Sequence, residues 1–290
     1  MIEMANKNAD LQVFPAMTIA AIMVYVDVAQ QAEEQVRVAR SLAARFDAAL
    51  IGVSALAVKP SFVAEGVIIE ETTAHDRGKM KADLTEKERW FRNVVGFPKE
   101  RVEWRWALQY PLDFLANEAR SADLVVVKNI RRRRDDPYRL LDPAEAVLRM
   151  GRPTILVPEH VHDLQADRVV IGWKDAREAR LAVRDALPLL RKATQVTTVE
   201  VCASIEQEAA RVRVRDIVRY LKRHGVKCEM DFRVHLAEPA AFPLIRVAKQ
   251  LDADLIVTGA YGHSRLGEWF FGGVTRSLLD EAPCCLMMSH

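Results

Sequence analysis

Glycine makes up only 12 of the 290 residues, yet it recurs in one short segment near the end of the sequence, GAYGHSRLGEWFFGGVTRSLL from Gly259 to Leu279. Glycine destabilises a helix interior but lets a backbone approach a ligand without an intervening Cβ. Gly272 and Gly273 stand where an amphipathic helical pattern begins, and the start of a helix carries unpaired N–H groups and a partial positive charge. The segment therefore predicts a loop that accepts an anion such as phosphate.

Two side chains of the same segment fit this chemistry. Thr275 supplies a hydroxyl, and His263 fits either a phosphate contact or an exposed loop. The spacing of the glycines is not that of a P-loop, which requires a Lys before Ser or Thr. In the alternative interpretation Gly259 and Gly262 are plain turn residues that let the chain leave a strand, and Gly272 is an N-cap.

The rest of the chain alternates short apolar runs with helical patterns, and it does so twice. SADLVVVKN at residues 121–129 is matched by DADLIVTGA at residues 252–260, and each precedes a short helical pattern and a final apolar run. Strands that alternate with helices imply a parallel sheet covered on both faces. We therefore predict an α/β fold with two Rossmann-like or flavodoxin-like parallel-sheet sandwich domains in tandem, at residues 15–160 and 166–290.

Three local features complete this prediction. The first half carries an extra segment at residues 59–79, which we interpret as a loop or a hairpin insertion. Pro188 lies in a helical pattern and is expected to bend or shorten that helix. Trp104 and Trp106 alternate in VEWRWAL, so they should share one face of a strand and pack under helices.

The glycine spacing resembles the nucleotide-binding motif of the universal stress protein family. The pattern Gly259-x2-Gly262-x9-Gly272 fits that motif, as do Val274 and Thr275 after it, whereas Gly273 stands where Ser or Thr is usual. The repeated element order makes the whole chain similar to a tandem universal stress protein. The resemblance implies domains paired through their last strands, and ATP, with Mg²⁺ beside it, as the ligand of some members.

Each half departs from the family's pattern in a different way. ATP-binding members carry an acidic residue at the end of the first strand, where the first half has Asp27 but the second has Lys174, with Asp175 one place late. Lys174 could contact a phosphate as a point charge or be a plain surface lysine. The first half lacks the glycines, so we place the nucleotide site in the second half. Its predicted residues are Gly259, Gly262, His263, Gly272, Gly273, Val274, Thr275, Lys174 and Asp175.

Composition and charge exclude several other classes of protein. A net charge of +2 argues against nucleic acid and against an anionic membrane surface. No apolar run reaches the roughly 20 residues of a membrane span, and the first residues lack a signal-peptide core. The four cysteines show no metal-ligand spacing and are expected to be buried, reduced thiols. We expect a cytoplasmic protein.

The sequence offers no catalytic set, so we expect a stress-response protein that is not an enzyme and that binds an adenine nucleotide in its second domain. Two alternatives stay open, a nucleotide-free interaction protein with unknown protein partners and a slow ATPase. Pairing of the two domains within one chain would cover the edges of their last strands, and a homodimer of chains stays open as well. We expect this pairing to leave the two crevices on separate sheets, so a composite site is not predicted.

Overall fold

The computed structural model describes residues 18–28, 31–64, 67–69, 72–130, 136–234, 240–260 and 273–290. Strands and helices alternate in both halves. The first half contains β1 (Ala21–Tyr25), α1 (Glu33–Phe46), β2 (Ala49–Ala55), β3 (Phe62–Ala64), β4 (Val67–Ile69), α2 (Ala74–Val95), β5 (Val102–Ala107), α3 (Pro111–Glu118), β6 (Leu124–Lys128), α4 (Pro143–Arg149) and β7 (Thr154–Val157). The second half contains β8 (Arg168–Trp173), α5 (Arg177–Lys192), β9 (Gln195–Cys202), α6 (Gln207–Arg223), β10 (Cys228–Val234), α7 (Ala241–Gln250), β11 (Leu255–Gly259), α8 (Gly273–Glu281) and β12 (Cys285–Ser289).

Ten of these strands form one continuous sheet in the order β10-β9-β8-β11-β12-β7-β6-β1-β2-β5. Within each half all neighbours are parallel, and the strand order 3-2-1-4-5 is of the Rossmann type. The two halves meet where β12 pairs antiparallel with β7, with Met287 opposite Ile155. The predicted fold and the pairing through the last strands are confirmed. The expectation of separate sheets was wrong, because this pairing fuses the two sheets into one.

Sequence features explain where individual elements begin and end. Thr73 and Asp76 form a reciprocal capping box at the start of α2, and Gly96 ends that helix with a left-handed backbone. The extra segment of the first half contains the antiparallel hairpin of β3 and β4, as predicted. Pro188 does not shorten α5, which continues to Lys192. The proline is itself buried, so its packing offsets the one backbone hydrogen bond it removes.

The hydrophobic core lies in two layers, one on each face of the sheet. One layer packs under α1, α2, α5 and α6, and the other under α3, α4, α7 and α8, and both layers extend across the two halves. Trp104 contacts Phe91 of α2 with ring centroids 5.2 Å apart. Trp106 is exposed, contrary to prediction, because β5 is the last strand of the sheet.

No helix among the described residues is long and apolar enough to cross a membrane. The sheet instead buries its apolar strands between two layers of helices. Cys284 and Cys285 illustrate this, because they are consecutive and belong to the two different core layers. All four cysteines are free and buried, as predicted.

We predict that the folded chain does not react with thiol reagents. Burial, reinforced by the Asp254 carboxylate, raises the pKa of the Cys284 thiol to about 12, and burial also raises the pKa values of Cys202, Cys228 and Cys285. Because the thiolate is the reactive form, titration of the native protein with DTNB at pH 8 should show no fast-reacting thiol. The same titration in guanidinium should report four thiols. A thiol that reacts within seconds in the native protein would contradict this arrangement.

Candidate functional site

The candidate site of the second half lies where the strand connections diverge. β8 and β11 are neighbours, but β8 continues through α5 to β9 on one side and β11 continues to β12 on the other. In open α/β sheets this divergence opens a crevice at the carboxyl ends of the strands, which is where ligands bind. Gly172 of β8 is opposite Thr258 of β11. Gly259, one residue after Thr258, and Lys174, two residues after Gly172, therefore lie at the carboxyl ends of these strands.

Gly259 is the last residue of β11, and its backbone lies against the first turn of α5. A Cβ built on Gly259 would lie 2.5 Å from the backbone nitrogen of Ala179 and 2.5 Å from the carbonyl carbon of Glu178. Any side chain here would therefore force the helix away from the strand. The interpretation of Gly259 as a turn residue was wrong: glycine is required at this position because the helix and the strand approach so closely.

The start of α8 has different surroundings. Gly273 is the first residue of this helix, and a Cβ on it would meet no atom within 4 Å. Val274 is 40% exposed, whereas Thr275 is buried, so the two residues face in different directions. The first turn of α8 contains no acidic residue. An anion near Gly273 would therefore meet the positive end of the helix without a competing carboxylate from that turn.

Lys174 occupies the place that Asp27 has in the first half. In the first half Val24 of β1 is opposite Val126 of β6, and in the second half Ile171 of β8 is opposite Val257 of β11. Asp27 is the third residue after Val24, and Lys174 is the third residue after Ile171. Lys174 and Asp175 are both exposed at the edge. The Asp175 carboxylate forms an ion pair with Arg180 of α5, with 2.5 Å between Oδ1 and Nη1. Asp175 is therefore engaged by its own helix.

Six of the nine predicted residues lie among the described residues, at the ends of β8 and β11 and at the start of α8. Gly262, His263 and Gly272 lie outside the described residues. No sequence pattern pointed to Glu178, whose backbone requires the glycine at 259, or to two residues with polar atoms at strand ends. Trp173 Nε1 and Ser289 Oγ are buried and have no hydrogen-bond partner in the described part of the chain. Ser289 is directly opposite Gly259 in the β11–β12 ladder.

The matched pair Gly259→Ala and Gly273→Ala should separate these two environments. The first substitution forces a methyl group into backbone atoms of α5 and should lower the free energy of unfolding by about 1–3 kcal/mol. The second adds a methyl group in open space at a helical position and should raise it by about 0.5–1 kcal/mol. Urea denaturation of both variants measures the difference. Equal effects of the two substitutions would show that the close approach at Gly259 is not what that position requires.

Residues 167–290 match the universal stress protein family. A curated universal stress protein from the cyanobacterium Synechocystis is 34% identical over 83 residues, which cover 29% of this chain and 52% of that protein. The matching segment thus spans about half the length of this relative.

Solved structures extend the likeness in fold to nearly the whole chain. A universal stress protein from Archaeoglobus fulgidus superposes with a TM-score of 0.69 at 11% identity, covering 93% of this chain and 97% of that one. One from Pseudomonas aeruginosa, described as a putative universal stress protein, gives a TM-score of 0.57 at 16% identity, covering 93% of both chains. The chain therefore shares the fold of these proteins, and its residues 167–290 match the universal stress protein family.

Proposed function

We propose that this chain is a stress-response protein that is not an enzyme, and that residues 166–290 form a domain that binds ATP or another adenine nucleotide with Mg²⁺. The preceding residues 15–160 form the first domain of the proposed tandem. The observation that carries the proposal is the open helix start at Gly273, in the helix that follows β11 along the chain, where the strand connections of β8 and β11 diverge. Phosphate is the group that such a helix start favours.

Two buried polar atoms, at the carboxyl ends of β8 and β12, support a polar ligand. Trp173 Nε1 can only donate a hydrogen bond, whereas Ser289 Oγ can donate or accept one. Buried polar atoms that have no partner among the described residues call for an explanation, such as a ligand or an ordered water. The glycine motif around Gly262 and Gly272 adds the loop through which we propose that the phosphates are bound, with His263 beside it.

The competing function is that of a nucleotide-free interaction protein. One observation favours it, because Lys174 replaces the acidic residue of ATP-binding members and Asp175 is held by Arg180. A slow ATPase is a third function, and it would be revealed by phosphate release above the level of a variant that does not bind nucleotide. We place both behind nucleotide binding, since neither accounts for the open start of α8.

We predict that MgATP raises the melting temperature of the protein and that Gly273 controls this effect. Ligand at about 100 times its dissociation constant adds roughly 2.7 kcal/mol to the free energy of unfolding. Gly273→Ser should keep the shift, because the space around this position is open. Gly273→Glu should lose it, because a carboxylate at the start of α8 repels phosphate.

The two variants control for each other. A glutamate in the first turn favours the helix dipole, so Gly273→Glu should itself fold stably. Loss of the shift in this variant would therefore report on binding rather than on unfolding. An unchanged shift in Gly273→Glu would place the nucleotide elsewhere, and no shift in the parent at millimolar MgATP would favour the interaction protein. Protein freed of co-purified nucleotide is required for both.

Lys174 gives a further prediction about charge. If its ammonium contacts a phosphate at an exposed edge, Lys174→Gln should weaken MgATP binding by about fivefold at most, because exposed ion pairs contribute about 0.2–1 kcal/mol. The effect should fade at high salt. Lys249→Gln is the matched control, because this exposed lysine lies in the last turn of α7, which leads to the opposite end of β11. Titration calorimetry at two salt concentrations measures both variants, and equal affinities would exclude a phosphate contact by Lys174.

A further inference from the structure

The sheet formed by the described residues has β5 at one edge and β10 at the other, because β7 and β12 pair with each other inside the chain. An edge strand presents a row of main-chain N–H and C=O groups that a further strand can pair with, so proteins cover or protect such an edge. The two edges of this sheet are therefore places where a second chain could add a strand.

The outward main-chain groups of β5 can be identified from one hydrogen bond. The Ala107 carbonyl accepts from the N–H of Leu56, the residue after β2, at 3.2 Å. Since main-chain groups alternate in direction along a strand, residues 103, 105 and 107 face β2, and residues 102, 104 and 106 face away from the sheet. The Val102 carbonyl agrees with this, because it accepts from Nη1 of Arg92 in α2, at 3.3 Å. A carbonyl oxygen has two lone pairs, so it can accept a second bond.

The side chains of β5 give its two faces different chemistry. Trp104 packs against the core layer under α2, and Trp106, two residues later on the same face, is 37% exposed. Glu103 and Arg105 lie on the other face, where they form an ion pair with 2.5 Å between Oε2 and Nη2. Arg105 also pairs with Glu118 of α3, at 2.8 Å. The edge strand thus combines an apolar face with a charged one.

Two antiparallel registers oppose the outward groups of β5 to those of a second copy along nearly the whole strand. In one register Trp104 lies opposite Trp104 of the second copy, and each Val102 lies opposite a Trp106. The same register places each Glu103 opposite an Arg105. In the other register Arg105 lies opposite Arg105, which opposes like charges. Of the two, the first register matches apolar side chains on one face and opposite charges on the other.

The β10 edge does not match a second copy of itself in this way. Its register of full overlap centres on Asp231, so the two Asp231 carboxylates would lie opposite each other. A mixed contact, of β5 with β10, would leave one edge free at each end of the assembly and would build an open filament instead of a closed dimer. Closed pairing of the chain with itself is therefore favoured at β5.

We propose that this chain forms a symmetric dimer in which β5 pairs antiparallel with β5 of a second copy, in the register that places Glu103 opposite Arg105. The pairing joins the sheets of two chains edge to edge and lays the exposed Trp106 against Val102 of the second copy. The charged pair also disfavours the other register, so the edge accepts one arrangement rather than several. This dimer requires no nucleotide, and its test uses the full chain alone.

The first experiment measures the mass of the full chain by size-exclusion chromatography with light scattering. We expect the parent to have twice the mass of one chain. Trp106→Pro should have the mass of one chain, because proline removes a main-chain N–H that faces the second copy and leaves the bonds to β2 intact. Glu103→Arg should also be monomeric, because it opposes two arginines at each of the symmetric contacts. Glu229→Arg, at an exposed position of β10, is the matched control and should remain a dimer.

Thermal melts show whether these variants are folded. The Glu103 side chain is 52% exposed, so Glu103→Arg should melt within a few degrees of the parent even where Trp106→Pro does not. A parent that stays monomeric at high micromolar concentration would overturn the dimer, as would a parent that forms assemblies larger than a dimer. A dimer that the folded Glu103→Arg variant retains, or that Glu229→Arg loses, would place the contact elsewhere and overturn the proposal as well.

The second experiment tests the register by exchanging charges between two chains. Arg105→Glu opposes two glutamates at each contact and should be monomeric. It is combined with Glu118→Gln, because Glu118 pairs with Arg105 within the chain. An equimolar mixture of this double variant with Glu103→Arg restores an opposite-charge pair at both contacts, so it should dimerise with a Kd about tenfold or more below that of either variant alone. A mixture that dimerises no more tightly than its components would overturn the register and with it the proposed dimer.

Discussion

The antiparallel pairing of β7 and β12 is the contact on which the rest of the structure depends. It is short, with Thr154, Ile155 and Leu156 opposite Met288, Met287 and Leu286. It nevertheless removes two apolar strand edges, which proteins otherwise have to cover. Because each half is internally parallel, this one antiparallel pair makes the strands of the two halves run in opposite directions. The carboxyl ends of the strands of one half consequently lie at the opposite end of the sheet from those of the other half. No site can therefore be assembled from both crevices.

Contacts beside the pair hold the halves in this relation. Arg45, near the end of α1, donates to the carbonyl of Lys192 at the end of α5, at 2.6 Å, and the Lys192 ammonium donates to the carbonyl of Arg45, at 2.7 Å. Each cation thereby meets the negative end of the other half's helix, where positive charge is favoured. On the opposite face Asn129 is bonded to Leu279. With two core layers continuous across the junction, the halves form one packed body.

The sequence predicted the features that depend on local pattern. Buried parallel strands read as apolar runs such as ADLIV, and their repetition identified two halves, their element order and the hairpin insertion. Prediction from the sequence failed where the role of a residue depends on neighbours that are distant along the chain. Gly259 is fixed by Ala179, 80 positions earlier in the chain, and no local turn signal reports that contact. Trp106 is exposed because β5 is an edge strand, and strand order is not written in the strand's own sequence.

The differences between the halves follow from what an ordered glycine costs. A glycine in a strand lowers the stability of the fold by roughly 0.5–1 kcal/mol relative to alanine, and it has no side chain that could make a contact. The second half accepts this cost at Gly259, where α5 leaves room for nothing else. The first half has side chains at the end of β6 and just after it: Lys128 bonds to the carbonyl of Gln31, and Asn129 bonds to the carbonyl of Leu279. These contacts hold the end of β6 in place, and the bond from Asn129 also fastens the first half to α8 of the second half.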